Sequence, residues 1–131
     1  MADDERIRII RELEGLTERV VAGVALEVHA ELVESTPVDT GWARANWVPN
    51  VGAPGDSSTA GQGEPGGAQA AQQAGVARVA TYRLSQGQVH VTNNVPYIEA
   101  LNAGHSQQAP AGFVEAAVER GIIQATRRLR V

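Results

Sequence analysis

A chain of 131 residues, 43 % of them apolar, is one domain's worth of material, with a modest core and apolar surface left over for neighbours. The absence of cysteine excludes disulfides and thiolate metal sites. A formal charge of −4, with all eleven basic residues arginine, argues against a dedicated DNA binder, because duplex affinity comes chiefly from neutralised phosphates.

From Asp3 to about Ser35 the pattern is helical. Ile9, Leu13, Leu16, Val20, Val24 and Val28 recur every three or four residues, the spacing that lines one helix face. Asp3, Asp4 and Glu5 suit the positive end of the helix dipole, and being acidic they are the reverse of an export signal, so no export is expected. Pro37 stops the helix by pushing its predecessor out of the α region. Leu26, Ala30 and Val33 add a second apolar side. A helix apolar on two sides is usually sandwiched, one side on the chain's own sheet and the other on loops of the same chain or on a neighbouring subunit. The longest apolar run, Val20 to Leu26, is far too short to cross a bilayer, so no membrane partner is expected.

Thr36-Pro37-Val38-Asp39-Thr40-Gly41 is a turn, with side chains that bond nearby amides and a glycine that tolerates positive φ. Trp42 to Val51 is predicted as a short strand carrying both tryptophans. Residues 52–75 hold no aromatic or large aliphatic residue, so burial cannot repay their ordering. The expectation is an extended, hairpin-like loop that orders on assembly, or plain disorder. Two strands follow, about Arg78–Leu84 and Gln88–Thr92, joined at Ser85-Gln86-Gly87. Tyr97 to Leu101 reads as a short helical turn and Gly104 to Ala109 as a loop. Pro110 opens a second helix striped by Val114, Val118, Ile122, Ala125 and Leu129. The sum is a single α+β domain over residues 1–131, with a long N-terminal helix and a C-terminal helix packed on a small antiparallel sheet.

No catalytic, cofactor or metal constellation stands out. His29, His90 and His105 fall on a helix, a strand and a loop without ligand spacing, and each reads as a packing or surface residue. With no lysine, the phosphate-cradling glycine loop that ends in lysine is excluded. Asp39-Thr40-Gly41 matches the triplet that carries the aspartate of small homodimeric aspartic proteases. There the aspartate ends an apolar strand of an all-β protein, whereas here it follows a long helix and a proline. The arginines near the C-terminus, Arg120, Arg127, Arg128 and Arg130, suit the end of a helix, and residues 1–35 carry nine acids against four arginines.

The run Ser35-Thr36-Pro37-Val38-Asp39-Thr40-Gly41, followed by Ala43-Arg44, resembles the signature of small head–tail joining, or tail-completion, proteins of long-tailed bacteriophages. Asn94-Val95-Pro96-Tyr97-Ile98, continuing through Leu101, Gly104, His105 and Ser106, resembles a second stretch of that family. Gln108-Ala109-Pro110 and Phe113 resemble its proline-led terminal helix. The chain departs from the family at Asn102 and Ala103, where an acidic residue and an aromatic are usual, and in the size of residues 52–75. The resemblance implies a non-enzymatic virion protein, assembled in the bacterial cytoplasm, that forms a cyclic homo-oligomer at the head–tail junction. Its partners would be itself, a portal-side connector, and the tail tube or tail terminator, with DNA only as passing cargo. Val24, Leu26, Val28, Val33, Tyr97 and Leu101 are the candidate subunit interface. A capsid-decorating protein is the alternative within the same particle.

Overall fold

In the computed structural model, which describes residues 2–37, 42–55, 65–107 and 109–129, the first helix, α1, spans Ala2–Ser35. At 1.5 Å per residue it is about 51 Å long. Its C-terminal carbonyls lack partners of their own in the helix, and later residues supply them. Thr36 Oγ1 donates to Leu32 O at 2.6 Å, and the Arg44 guanidinium donates to Val33 O at 2.8 Å and to Glu34 O at 3.5 Å. The last turn of α1 has no basic residue, so Arg44 provides the positive charge from outside.

The predicted strand Trp42–Val51 is shorter than expected. Trp42–Ala45 coils into a single turn, α2, and only Val48–Val51 extends as β1. The coil brings Arg44 to the end of α1 and buries Ala43 and Ala45, while Asn46 Nδ2 donates to Trp42 O at 2.8 Å.

The larger correction concerns residues 65–75 of the expected loop, of which residues 56–64 lie outside the described residues, and the strand expected over Arg78–Leu84. Pro65–Ala80 forms a third helix, α3. Alanine and glutamine are strong helix formers, and Pro65 suits a first helical position. A buried small face fixes the helix in place. Gly75 approaches Pro49 so closely that a Cβ there would lie 2.0 Å from Pro49 O. Gln72 Nε2 donates to Trp47 O at 3.1 Å, and Val79 is completely buried. Large aliphatics are unnecessary where a helix lies this close to a strand.

After α3, the segment read as a hairpin joint at Ser85-Gln86-Gly87 is a 3-10 turn, Leu84–Gln86, left through Gly87 at φ 88°. The following strand, β2, spans Val89–Thr92. Its partner is β1, not the preceding segment. The two strands pair antiparallel with Val48 opposite Thr92 and Val51 opposite Val89. Ile98–Asn102 forms the short helix α4 close to its predicted place. The last helix, α5, spans Phe113–Arg128 and starts three residues beyond Pro110, because Gly112 turns the chain at φ 78°.

α5 runs antiparallel along the C-terminal half of α1. The Leu129 side chain packs on Gly23 and Gly121 packs on Val28. Arg128 pairs with Glu27 at 2.9 Å and Arg120 with Glu31 at 3.2 Å. Leu32, Trp47 and Ala117 form the centre of the core, with Val28, Val33, Val91, Ile98, Val114 and Val118 packed around them. Full burial of a side chain such as Leu32 contributes about 1.5–3 kcal/mol. The architecture is α+β and mostly helical, with the long N-terminal and C-terminal helices packed together beside a two-stranded antiparallel sheet.

Candidate interaction surface

The apolar stripe predicted on α1 divides into two parts. From Gly23 onward α5 lies along it, through Leu129 on Gly23 and Arg128 on Glu27, while Val24 faces a groove beside β2. N-terminal to that point it is bare. Ile9, Leu13, Leu16 and Val20 are 51 %, 58 %, 37 % and 39 % exposed, and Ile7 and Ile10 beside them are 48 % and 46 % exposed. Glu18 ties the helix to the body, its carboxylate accepting from Leu84 N at 2.9 Å and lying 3.6 Å from the Arg83 guanidinium. Residues 2–17 therefore project as an arm about 24 Å long. A lone helix of this length is marginal in water, and a contiguous apolar stripe is the kind of surface at which proteins meet partners. On α5, Ile122 and Ile123 are similarly exposed, at 47 % and 45 %.

The six residues expected at a subunit interface do not form one face. Val28 and Val33 are taken up inside the chain, packed against Leu32, Trp47 and Ala117. Val24 is half-buried in a groove between α1 and β2 that Tyr82, Val89 and Val91 also line, while Leu26 lines another beside Ala80 and Leu129. Tyr97 meets Trp42 edge to face, with ring centroids 5.5 Å apart at 66°. Leu101 is half-buried on α4. The periodic stripe was visible in the sequence, but Ile7 and Ile10 lie beside it, and only the end of α5 shows which part of α1 stays bare.

Of the turn motif, Thr36 and Pro37 are buried, whereas Asp39, Thr40 and Gly41 lie outside the described residues. Thr36 Oγ1 accepts from Trp47 Nε1 at 2.7 Å. His29 Nε2 donates to Trp47 O at 2.9 Å. Burial holds the His29 pKa below its ordinary value, partly opposed by that hydrogen bond, so its ring stays neutral at neutral pH. These contacts make the junction of α1, α2 and β1 a scaffold that sets the direction of the arm.

Asn102, noted in the sequence only as a departure from the resembled family, is a positioning residue. Its Oδ1 accepts from Val114 N at 2.9 Å, its Nδ2 donates to both Glu115 carboxylate oxygens at 3.0 Å, and its O accepts from Gly112 N at 2.7 Å. It therefore fixes the start of α5 from one turn of α4. The same Asn102 hydrogen bond holds the Glu115 carboxyl below its usual pKa, with a smaller contribution from the residue's own backbone amide.

His90 is half-buried on β2 and His105 is exposed. Among the described residues no three His, Asp or Glu side chains gather as a metal site, and no helix is long and apolar enough to cross a membrane. Compared with protein-family models, curated proteins and solved structures, the chain gives no match.

Proposed function

We propose that this chain is a structural, non-enzymatic subunit of a tailed-bacteriophage particle, a ring-forming head–tail connector or tail-completion protein between the portal complex and the tail tube. The observation that carries the reading is the projecting arm of α1, whose apolar residues Ile9, Leu13, Leu16 and Val20 are all more than a third exposed. A small subunit that cannot bury its own apolar surface is suited to life inside an assembly. The resemblance of Thr36-Pro37-Val38-Asp39-Thr40-Gly41 and of Asn94-Val95-Pro96-Tyr97-Ile98 to head–tail joining proteins supplies the kind of assembly. A net charge of −4 suits a channel wall past which DNA must slide, since negative walls repel phosphate.

The test is gold-labelled antibody against the chain, applied to tailed particles produced by the genome that encodes it and viewed by negative stain. Label confined to the head–tail junction is expected. Label scattered over the capsid would replace this reading with the capsid-decorating one, and particles free of the chain would overturn both.

A further inference from the structure

The bare stripe of α1 has a spacing that fits a second copy of itself. Ala2, Arg6, Ile9, Leu13, Leu16 and Val20 follow one another at intervals of four, three, four, three and four, a series that reads the same in both directions. We propose that two copies of this chain pair antiparallel through their arms, with Ala2 facing Val20, Arg6 facing Leu16 and Ile9 facing Leu13 of the other copy, and each contact repeated by the two-fold.

Three features of the structure select this register. The first is extent. The bare stretch of the stripe ends at Val20, because the Leu129 side chain covers Gly23. Sliding the partner one heptad further, so that Ile9 faced Val20, would set its Arg6 against Leu129 at Gly23 and its Ala2 against Arg128 at Glu27. The second is cover. Of the exposed apolar residues on the arm, Ile9, Leu13, Leu16 and Val20 enter the seam, and Ile10 meets Ile10 of the other copy beside the axis, as flanking positions do in antiparallel coiled coils.

The third is charge. Glu5 flanks Arg19 of the other copy, twice by symmetry. The partner's arm runs parallel to α5 and continues its line along the same face of α1, so the partner's first turn, with Asp3, Asp4 and Glu5, points at the last turn of α5, with Arg127 and Arg128. Acidic start meets basic end, and the two helix dipoles align head to tail. Arg6 is the polar member of the seam, where its stem covers Leu16 and its guanidinium reaches water. Glu12 faces Glu12 across the axis, the like-charge pair of this register. The contact is isologous and closes on itself. It draws on the same bare stripe as the virion reading but describes the chain before assembly, because a cyclic ring has no two-fold relating neighbouring subunits and the arms would part before one closed.

The chain has no cysteine, which makes disulfide mapping clean. Purified Glu5→Cys and Arg19→Cys proteins, mixed and oxidised, are expected to give chiefly the mixed disulfide, because in this register the two Glu5 positions lie about 21 Å apart along the axis. Sedimentation of the unmodified chain over a dilution series is expected to show two-chain mass that dissociates on dilution. Leu13→Glu is expected to give a monomer whose body melts as before, and Glu12→Gln to hold the dimer to lower concentration. A monomer at every concentration, same-residue disulfides in place of the mixed one, a Leu13→Glu protein that still pairs, or a larger assembly without the mixed disulfide would each overturn the proposal. None of these outcomes bears on where the chain lies in a particle, which the gold label reads separately.

Discussion

Replacing Gly121 by alanine should push α5 away from α1. A Cβ at Gly121 would lie 2.5 Å from Val28 Cα and 2.8 Å from Val28 N and Cγ2. Carbon contacts prefer about 3.5–4.0 Å, and backbone atoms of a long helix cannot rotate aside, so the helices must separate by about 1 Å. Overpacking of this kind costs about 2–3 kcal/mol. Alanine regains about 1 kcal/mol through helix propensity, which leaves a net loss of about 1–2 kcal/mol. For a chain of this size that is a fall of roughly 4–8 °C in Tm, read by circular dichroism at 222 nm. Gly15→Ala is the control. Its nearest neighbour would be the Arg19 guanidinium at 3.7 Å, an ordinary contact, so the same chemical change should stabilise by up to about 1 kcal/mol. If Gly121→Ala melted at or above the unmodified chain, α1 and α5 would not cross at Val28 and Gly121, and the account of the covered stripe would fail with it.

Three further outcomes are expected. Thr36→Val removes the acceptor of Trp47 Nε1 and should cost about 1–3 kcal/mol in urea unfolding followed by tryptophan fluorescence; an unchanged midpoint would count against the junction. Because burial lowers the His29 pKa in the folded chain, the unfolded chain takes up the proton first. Stability should therefore be complete above about pH 6.5 and decline as pH falls from there towards the lowered folded value, a slope that urea midpoints should lose in His29→Gln. Asn102→Ala removes the hydrogen bond that holds Glu115 down, so NMR titration should show the Glu115 carboxyl protonating at a higher pH than in the unmodified chain.

Local signals in the sequence were enough for elements whose period is long and unbroken. Over residues 3–35 the three-and-four spacing leaves no other regular structure, Pro37 supplies the stop, and α1 ends at Ser35. The C-terminal helix and the turn after Pro96 were legible for the same reason. Val76 to Leu84 was not. Val79, Thr81 and Arg83 alternate with Ala80, Tyr82 and Leu84 as a strand would. The same stretch also places Gly75, Val79 and Tyr82 at intervals of four and three, and these are the residues that are buried. Two periods fit so short a run, and the choice between them lies with β1, whose Pro49 carbonyl meets Gly75. Strand pairing was hidden for a related reason. β2 has an adjacent candidate in sequence, but its hydrogen bonds go to β1, about forty residues earlier, and nothing local encodes a partner at that distance.

By itself the sequence determined the α+β class, the extent of α1, the stop at Pro37 and the apolar stripe, because each depends on residues within a turn or two of one another. Only the tertiary structure decided which part of that stripe is covered. α5 reaches Gly23 and ends there, so Val28 and Val33 belong to the core while Ile9, Leu13, Leu16 and Val20 remain in water. Periodicity reports which face of a helix is apolar, whereas burial depends on the length and placement of the element laid against it, and that element lies almost a hundred residues away along the chain.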